Sequence, residues 1–248
     1  MSFQALIQQA EQLKDQLDSL RQQLDNETIR TAWQIEYTYE SNRIEGNSLT
    51  LRETQLIIQK GITIGGKPLR EHLEAINHQE AVLFIEEVVN RQLPFTEMVL
   101  KQLHQLVLYG IDRENAGVYR RVPVMIAGSH HLPPQPYLVQ GLMDGYFRFY
   151  RESSGRVHPI DLAAKLHERL VTIHPFVDGN GRTARLVMNL ILLQHGYPVL
   201  ILGGDSDSRL AYYNALEEAA SDEMAFVLFI SGRVIQSLQR YLHILQSG

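Results

Sequence analysis

The 248-residue chain has 44% hydrophobic and 21% charged residues, an ordinary balance for a globular protein able to bury a substantial core. Its formal net charge of −5 gives no overall basic field for nucleic acid or an anionic membrane, and the lack of cysteine excludes disulfides, thiolate metal sites and a thiol nucleophile. No apolar run reaches the roughly 18 residues of a membrane-spanning helix, and MSFQALIQQAEQ lacks the apolar stretch of a signal peptide, so the expectation is a cytoplasmic protein without nucleic-acid or membrane partners.

In chain order, Leu6, Ala10, Leu13, Leu17, Leu20 and Leu24 alternate steps of four and three, which predicts a helix from Ser2 to about Asp25 with a heptad seam. About three heptads are too few for a coiled coil that stands alone, so the seam either packs on its own domain or joins two copies as a homodimer. A second helix is expected over Asn26–Glu45, ended by Gly46. Thr50 and Glu53 have the spacing of a capping box that starts a third, and Gly61, Gly65, Gly66 and Pro68 break the chain after it. Amphipathic helices follow at 70–92 and 95–110. In the segment 117–136, Val122, Val124 and Ile126 alternate ahead of Gly128-Ser129 and three prolines, which predicts a short β-hairpin. Further helices are expected near 138–151, 159–173, 180–195, 208–220 and 223–245. The fold class is mainly α, a helical bundle with a short β-hairpin, with residues 1–34 as an N-terminal helical extension and 35–248 as the main domain.

The chemistry concentrates in His174-Pro175-Phe176-Val177-Asp178-Gly179-Asn180-Gly181-Arg182-Thr183-Ala184-Arg185, between one apolar helix and the start of another. A Gly-Asn-Gly turn frees the backbone to aim N–H groups at one point, and the helix N-terminus adds more of them with a partial positive charge. Arg182 and Arg185, three apart, share a face and suit phosphate oxygens. Asp178 is a hard oxygen ligand suited to Mg²⁺, and His174 has the side chain of a general base near neutrality. Taken singly, a Gly-x-Gly is a turn and a His before Pro a packing residue. The helix dipole disfavours two arginines in a first turn, a conflict that a bound anion resolves.

This stretch resembles the Fic signature, His-x-Phe-x-Asp/Glu-Gly-Asn-Gly-Arg-x-x-Arg, at every signature position. GVYRRVPVMIAGSHHLPPQP resembles the family's flap hairpin, SNRIEGNSLTLRET and EHLEAINHQEA resemble segments that precede its core, and the likeness covers roughly residues 35–235. It implies a Fic-type helical bundle with a hairpin flap that transfers AMP from ATP to a Ser, Thr or Tyr hydroxyl of a target protein, itself included. His174 would be the base and Asp178 the Mg²⁺ ligand. Backbone N–H groups of Gly179, Asn180 and Gly181 would cradle phosphates, Arg182 would hold the β-phosphate and Arg185 the γ-phosphate. Val122, Val124 and Ile126 would form the edge on which an extended target segment docks. Tyr212 and Tyr213 would border the nucleotide, although Ala220 stands near where many members carry Asn. Ser41-Asn42-Arg43-Ile44-Glu45-Gly46 resembles the inhibitory motif Ser/Thr-x-x-x-Glu-Gly/Asn, expected over about residues 35–46 as in the second class of the family, with Glu45 reaching Arg185. The same site would serve removal of AMP from a target, or a nucleotide-sensing module without catalysis.

Overall fold

A helix that is apolar all round has to lie at the centre of a bundle. In the computed structural model, which describes residues 2–20, 26–126, 128–129 and 131–247, that helix is Asn180–Gln194, where every residue from Arg182 to Leu192 is buried. In chain order the described α-helices are α1 (Phe3–Asp18), α2 (Glu27–Ile44), α3 (Leu51–Lys60), α4 (Leu69–Asn90), α5 (Glu97–Val107), α6 (Val139–Ser153), α7 (Pro159–Ile173), α8 (Asn180–Gln194), α9 (Ser206–Glu218) and α10 (Ala225–Ser247), with one 3₁₀ turn, Pro136–Leu138, leading into α6. Helices α2, α4, α5 and α7 surround α8, so its N-terminus opens where several elements meet.

Local chemistry accounts for the helix ends. Asn26 accepts from the N–H groups of Thr28 and Ile29, Thr96 from that of Val99, and Asp205 from that of Ser208. The capping box at Thr50 and Glu53 forms in both directions, and Gly61 closes α3 in the left-handed region at φ 64°. No helix among the described residues is long and apolar enough to cross a membrane.

Two expectations meet a different outcome. The first helix stops at Asp18, and Leu24 lies outside the described residues. Of the two roles left open for its seam, packing on its own chain is the one seen: α1 lies along α10, Ala10 and Leu17 are wholly buried, and Leu6, Leu13 and Leu20 pack against the same core. Glu11 secures the arrangement by accepting hydrogen bonds from the Tyr197 hydroxyl and from His158 Nε2.

The second concerns the hairpin. Among the described residues there is no β-strand, and Val122–Ile126 run without ladder pairing; Ala127 and His130 of the same segment lie outside them. Pro123 sits inside the alternating run and Pro133, Pro134 and Pro136 in the return, so the donors that a ladder needs are missing. Arg120 holds the segment instead. Its guanidinium donates to the carbonyls of His174 (2.7 Å), Val122 (3.2 Å) and Pro134 (2.6 Å), while its backbone N–H donates to the Pro175 carbonyl at 2.8 Å.

Since the α1 seam is core, Leu17→Ala should destabilise the protein by about 2–5 kcal/mol, the range for emptying a buried leucine site. Urea unfolding at constant mass by light scattering checks this. A fall in mass with the midpoint unmoved would place the seam between protomers instead.

Candidate active site

Helix α7 ends in a histidine. His174 takes the left-handed conformation (φ 50°, ψ 57°) rare for a residue with a side chain, and its N–H closes the helix on the Leu170 carbonyl at 2.9 Å. Nδ1 faces the carbonyl of Val171 at 3.2 Å, which can only accept, so Nδ1 carries the proton and Nε2 is left as a free base. Burial, helped by nearby Arg120, holds the His174 pKa below its ordinary 6.5, so the ring is neutral at pH 7.

The loop that follows is stapled from within. The Asn180 side chain accepts from the Phe176 N–H and donates to the Phe176 carbonyl, both at 2.9 Å. Phe176 is wholly buried and stacks on His104 with centroids 3.6 Å apart. His104 has two assigned tasks: Nδ1 accepts from the Gly117 N–H at 2.9 Å, and Nε2–H donates to the Asp178 carbonyl at 2.9 Å. Burial pushes its pKa down to about 4, so it stays neutral in this role. Gly179 turns the chain at φ 74° where a Cβ would sit 3.1 Å from Val107, and no side chain caps α8, which leaves its N-terminus to a ligand.

Asp178 stands at the rim with its side chain 43% exposed. Its Oδ1 accepts from the Gly179 N–H at 2.6 Å and Oδ2 from Arg70 Nη2 at 2.5 Å. Burial raises its pKa, but Arg182, the Gly179 N–H and Arg70 outweigh that and hold the carboxyl below its usual range. Arg182 and Arg185 are both buried, 2% and 1% exposed.

Arg185 is met by the end of α2. Its Nη2 donates to Glu45 Oε1 at 2.6 Å and to the Ser41 carbonyl at 2.8 Å, and Nε donates to Ser41 Oγ at 3.0 Å. Burial disfavours its charge, but Glu45 overcomes that and keeps the guanidinium protonated. Glu45 is the C-cap of α2, and Gly46 turns the chain away at φ 95°. Gly181 makes room: a Cβ there would lie 2.4 Å from Glu45 Oε1. Tyr212, 2% exposed, reaches Arg185 Nη1 at 3.5 Å and His167 Nε2 at 3.1 Å; Tyr213, 40% exposed, lies over the end of α2, its hydroxyl 3.4 Å from the Ile44 carbonyl.

The structure thus brings together His174, Asp178, Gly179, Asn180, Gly181, Arg182, Arg185, Ser41, Glu45, Tyr212 and Tyr213. Val122, Val124 and Ile126 lie outside this cluster on the segment tied to it by Arg120, Val122 being 52% exposed. His104, Arg120, Arg70 and Glu74 were not singled out from sequence. His104 showed one weak sign, a titratable residue on the apolar stripe of Leu100, Leu103 and Val107.

A helical bundle whose central helix opens on a glycine turn, two buried arginines, a rim carboxylate and a neutral histidine defines an anion-handling fold with a base beside it. Comparison with known proteins narrows the class. The sequence model of the Fic/DOC family matches residues 94–192. Protein adenylyltransferase Fic of Drosophila sechellia is 37% identical over 210 residues, covering 84% of this chain and 42% of that one. Among solved structures, C. elegans Fic-1 (residues 134–508, E274G) superposes with TM-score 0.83 at 30% identity, covering 97% of this chain and 72% of that one. A Fic domain containing signaling protein from Bacteroides thetaiotaomicron superposes with TM-score 0.85 at 27% identity, covering 96% and 97%. The chain belongs to the Fic/DOC family. It spans less than half the length of the curated relatives it matches.

His78, His104 and His167 are buried with lowered pKa values. Below pH 6.5 the unfolded chain takes up protons that these folded-state rings refuse. Stability should therefore fall with pH, by about 1.4 kcal/mol per ring per unit until the folded pKa is reached. Glu40 and Glu168, whose carboxyls burial raises above the ordinary 4.5, act in the opposite sense as pH falls toward 4.5 and offset part of this. Urea unfolding of wild type and His104→Gln between pH 7 and 5 isolates the share of His104. Parallel slopes would mean that its ring is not neutral by burial.

Proposed function

We propose that this chain transfers AMP from ATP to a Ser, Thr or Tyr hydroxyl of a target protein, and that Glu45 restrains it. The observation that carries this reading is the Arg185–Glu45 pair at 2.6 Å inside an otherwise whole signature loop. A phosphate-binding arginine faces the α8 N-terminus and a carboxylate of the same chain occupies it. The names of the Drosophila relatives, which are adenylyltransferases, support the activity.

Asp178 fits a Mg²⁺ ion. It is ionised, half exposed and a single carboxylate, among described residues that hold no cluster of three or more ligating side chains; Mg²⁺ takes its remaining ligands from phosphates and water. When bound, the ion would neutralise charge on the phosphates. The chain's own residues do the rest. The first-turn N–H groups of α8, with Gly179, Asn180 and Gly181, receive the phosphates, Arg182 the β-phosphate and Arg185 the γ-phosphate. His174 Nε2 takes the proton of the target hydroxyl as its oxygen bonds to the α-phosphorus and the bond to pyrophosphate breaks. Tyr212 and Tyr213 border the nucleotide.

Glu45 acts by holding the guanidinium that the γ-phosphate needs, so ATP binds with its α-phosphorus out of line. An error of about 1 Å in such an alignment costs on the order of 10² in rate. The segment at Val122, Val124 and Ile126, with Met125 86% exposed, is where an extended stretch of target adds its backbone and completes the flap as a hairpin. Self-modification belongs to this reading; a homodimer built on the α1 seam does not, since that seam is buried within the chain. We divide the chain into an extension, 1–34, and a Fic domain, 35–248, and place it in the cytoplasm, where a cysteine-free chain is at home.

AMP incorporation from α-labelled ATP, with γ-labelled ATP as control, tests the proposal on wild type, Glu45→Gly, Arg185→Ala and the double variant at fixed ATP and Mg²⁺. Glu45→Gly should raise incorporation by on the order of 10²-fold. Arg185→Ala should stay weak, and so should the double variant, as non-additivity between contacting residues requires. His174→Ala in the Glu45→Gly background should lose roughly 10²–10⁴ while still binding ATP. The acid limb of the released variant should lie below pH 6.5, because the lowered pKa keeps His174 a free base there. Incorporation by Glu45→Gly equal to wild type with candidate targets present would refute self-inhibition, and label arriving only from the γ position would refute AMP transfer.

A further inference from the structure

Around Asp178 and Arg182, four charges close into a ring. Arg70 Nη2 meets Asp178 Oδ2 at 2.5 Å and Arg70 Nε meets Glu74 Oε1 at 3.2 Å. Arg182 completes the ring, its Nη1 3.4 Å from Glu74 Oε1 and its Nη2 3.6 Å from Asp178 Oδ1. Signs alternate around it, and Asn47 Nδ2 fixes Glu74 by donating to Oε2 at 3.0 Å. Arg70 lies in the first turn of α4, where the helix dipole disfavours a cation, so its position is justified by the two carboxylates it meets.

The two oxygens of Asp178 are held differently. Oδ1 is pinned by the Gly179 N–H of the loop itself, whereas Oδ2 is held from another helix by a side chain 57% exposed. An ion pair that wet contributes little and exchanges readily. Arg70 also has somewhere to go: released from Asp178, it keeps Glu74, so no charge is stranded.

We propose that Arg70 is a positioning residue that stands in for the divalent cation at Asp178, holding the carboxylate aimed in the metal-free protein and competing with Mg²⁺ for Oδ2. Arg70 thereby sets the Mg²⁺ concentration at which the site loads. The inference rests on the reading of Asp178 as the metal carboxylate, and it separates Arg70 from the phosphate-binding arginines.

The test is binding, free of turnover. In a His174→Ala background, a fluorescent ATP analogue is titrated at increasing Mg²⁺ and again in EDTA, for proteins with Arg70, Arg70→Ala, Arg70→Lys and Asp178→Ala. Arg70→Ala should lower the half-saturating Mg²⁺ by about two- to fivefold, the scale of an exposed pair, and leave affinity in EDTA unchanged. Arg70→Lys, which keeps a point charge without the fork, should fall between. Asp178→Ala should abolish the Mg²⁺ dependence. An unmoved or raised Mg²⁺ midpoint in Arg70→Ala, with Asp178→Ala behaving as expected, overturns the role of Arg70 alone. Weaker binding in both Mg²⁺ and EDTA makes Arg70 a phosphate ligand and also overturns it. A Mg²⁺ dependence that survives Asp178→Ala overturns the metal reading beneath it.

Discussion

A guanidinium buried to 1% exposure is the constraint on which the rest of this structure depends. A charge taken out of water costs several kcal/mol unless it is paired and its hydrogen bonds are met. Around Arg185 the fold supplies His78 and His167 kept neutral by burial, with Tyr37 and Tyr212 held un-ionised for the same reason. Ser41 accepts two of its N–H bonds, and among the described residues Glu45 forms the ion pair with it. The glutamate proposed to restrain the enzyme is thus also the counterion of the core. That requirement fixes the end of α2 against α8, the absence of a Cβ at Gly181 and the sharp turn at Gly46.

The remainder of the site is organised so that this charge lies in one cluster with His174 and Asp178. Asn180 closes the loop on Phe176, His104 grips the loop from α5 through the Asp178 carbonyl, and Arg120 ties the loop to the exposed segment by carbonyls alone. Loop, His174 and exposed segment share Arg120: its side chain takes the carbonyl of His174 and, through Val122 and Pro134, both arms of that segment. If a target docks there as proposed, its displacement of the segment would reach His174 through Arg120.

What could be read from sequence divides by distance along the chain. The His174–Arg185 stretch was legible because its chemistry needs one loop and one helix turn. The helix caps were legible because Asn26, Thr50 and Thr96 act within three residues. Ser41 and Glu45 were legible only by resemblance, since nothing local in a Ser and a Glu four apart announces an arginine 140 positions away. His104 meets Asp178 across 74 positions, Arg120 meets His174 across 54, and Arg70 meets Asp178 across 108; each reads in sequence as an ordinary helical or loop residue. The hairpin is not confirmed among the described residues for a local reason: Pro123 interrupts the alternation of Val122, Val124 and Ile126. For α1, the heptad was real, and its partner is α10 of the same chain.

The two signature arginines are kept in different states, and the difference bears on how the site is opened. Arg182 is shared at 3.4 and 3.6 Å between Glu74 and Asp178, contacts too long for strong hydrogen bonds, so under the proposed function a phosphate oxygen would replace little there. Arg185 makes a 2.6 Å charge-assisted bond to Glu45, while its other N–H bonds go to Ser41 and, at 3.5 Å, to Tyr212. Yet the Glu45 side chain is 35% exposed although its partner is not. The carboxylate can regain water on leaving, while the guanidinium cannot. In the proposed reaction a γ-phosphate, with more charge and more acceptor oxygens than a carboxylate, would therefore compete for a buried donor against a ligand that has an easy exit. On the proposed reading, the pair holds the core's charge without a nucleotide, and movement at the wet end of α2, rather than unfolding of the core, would release it.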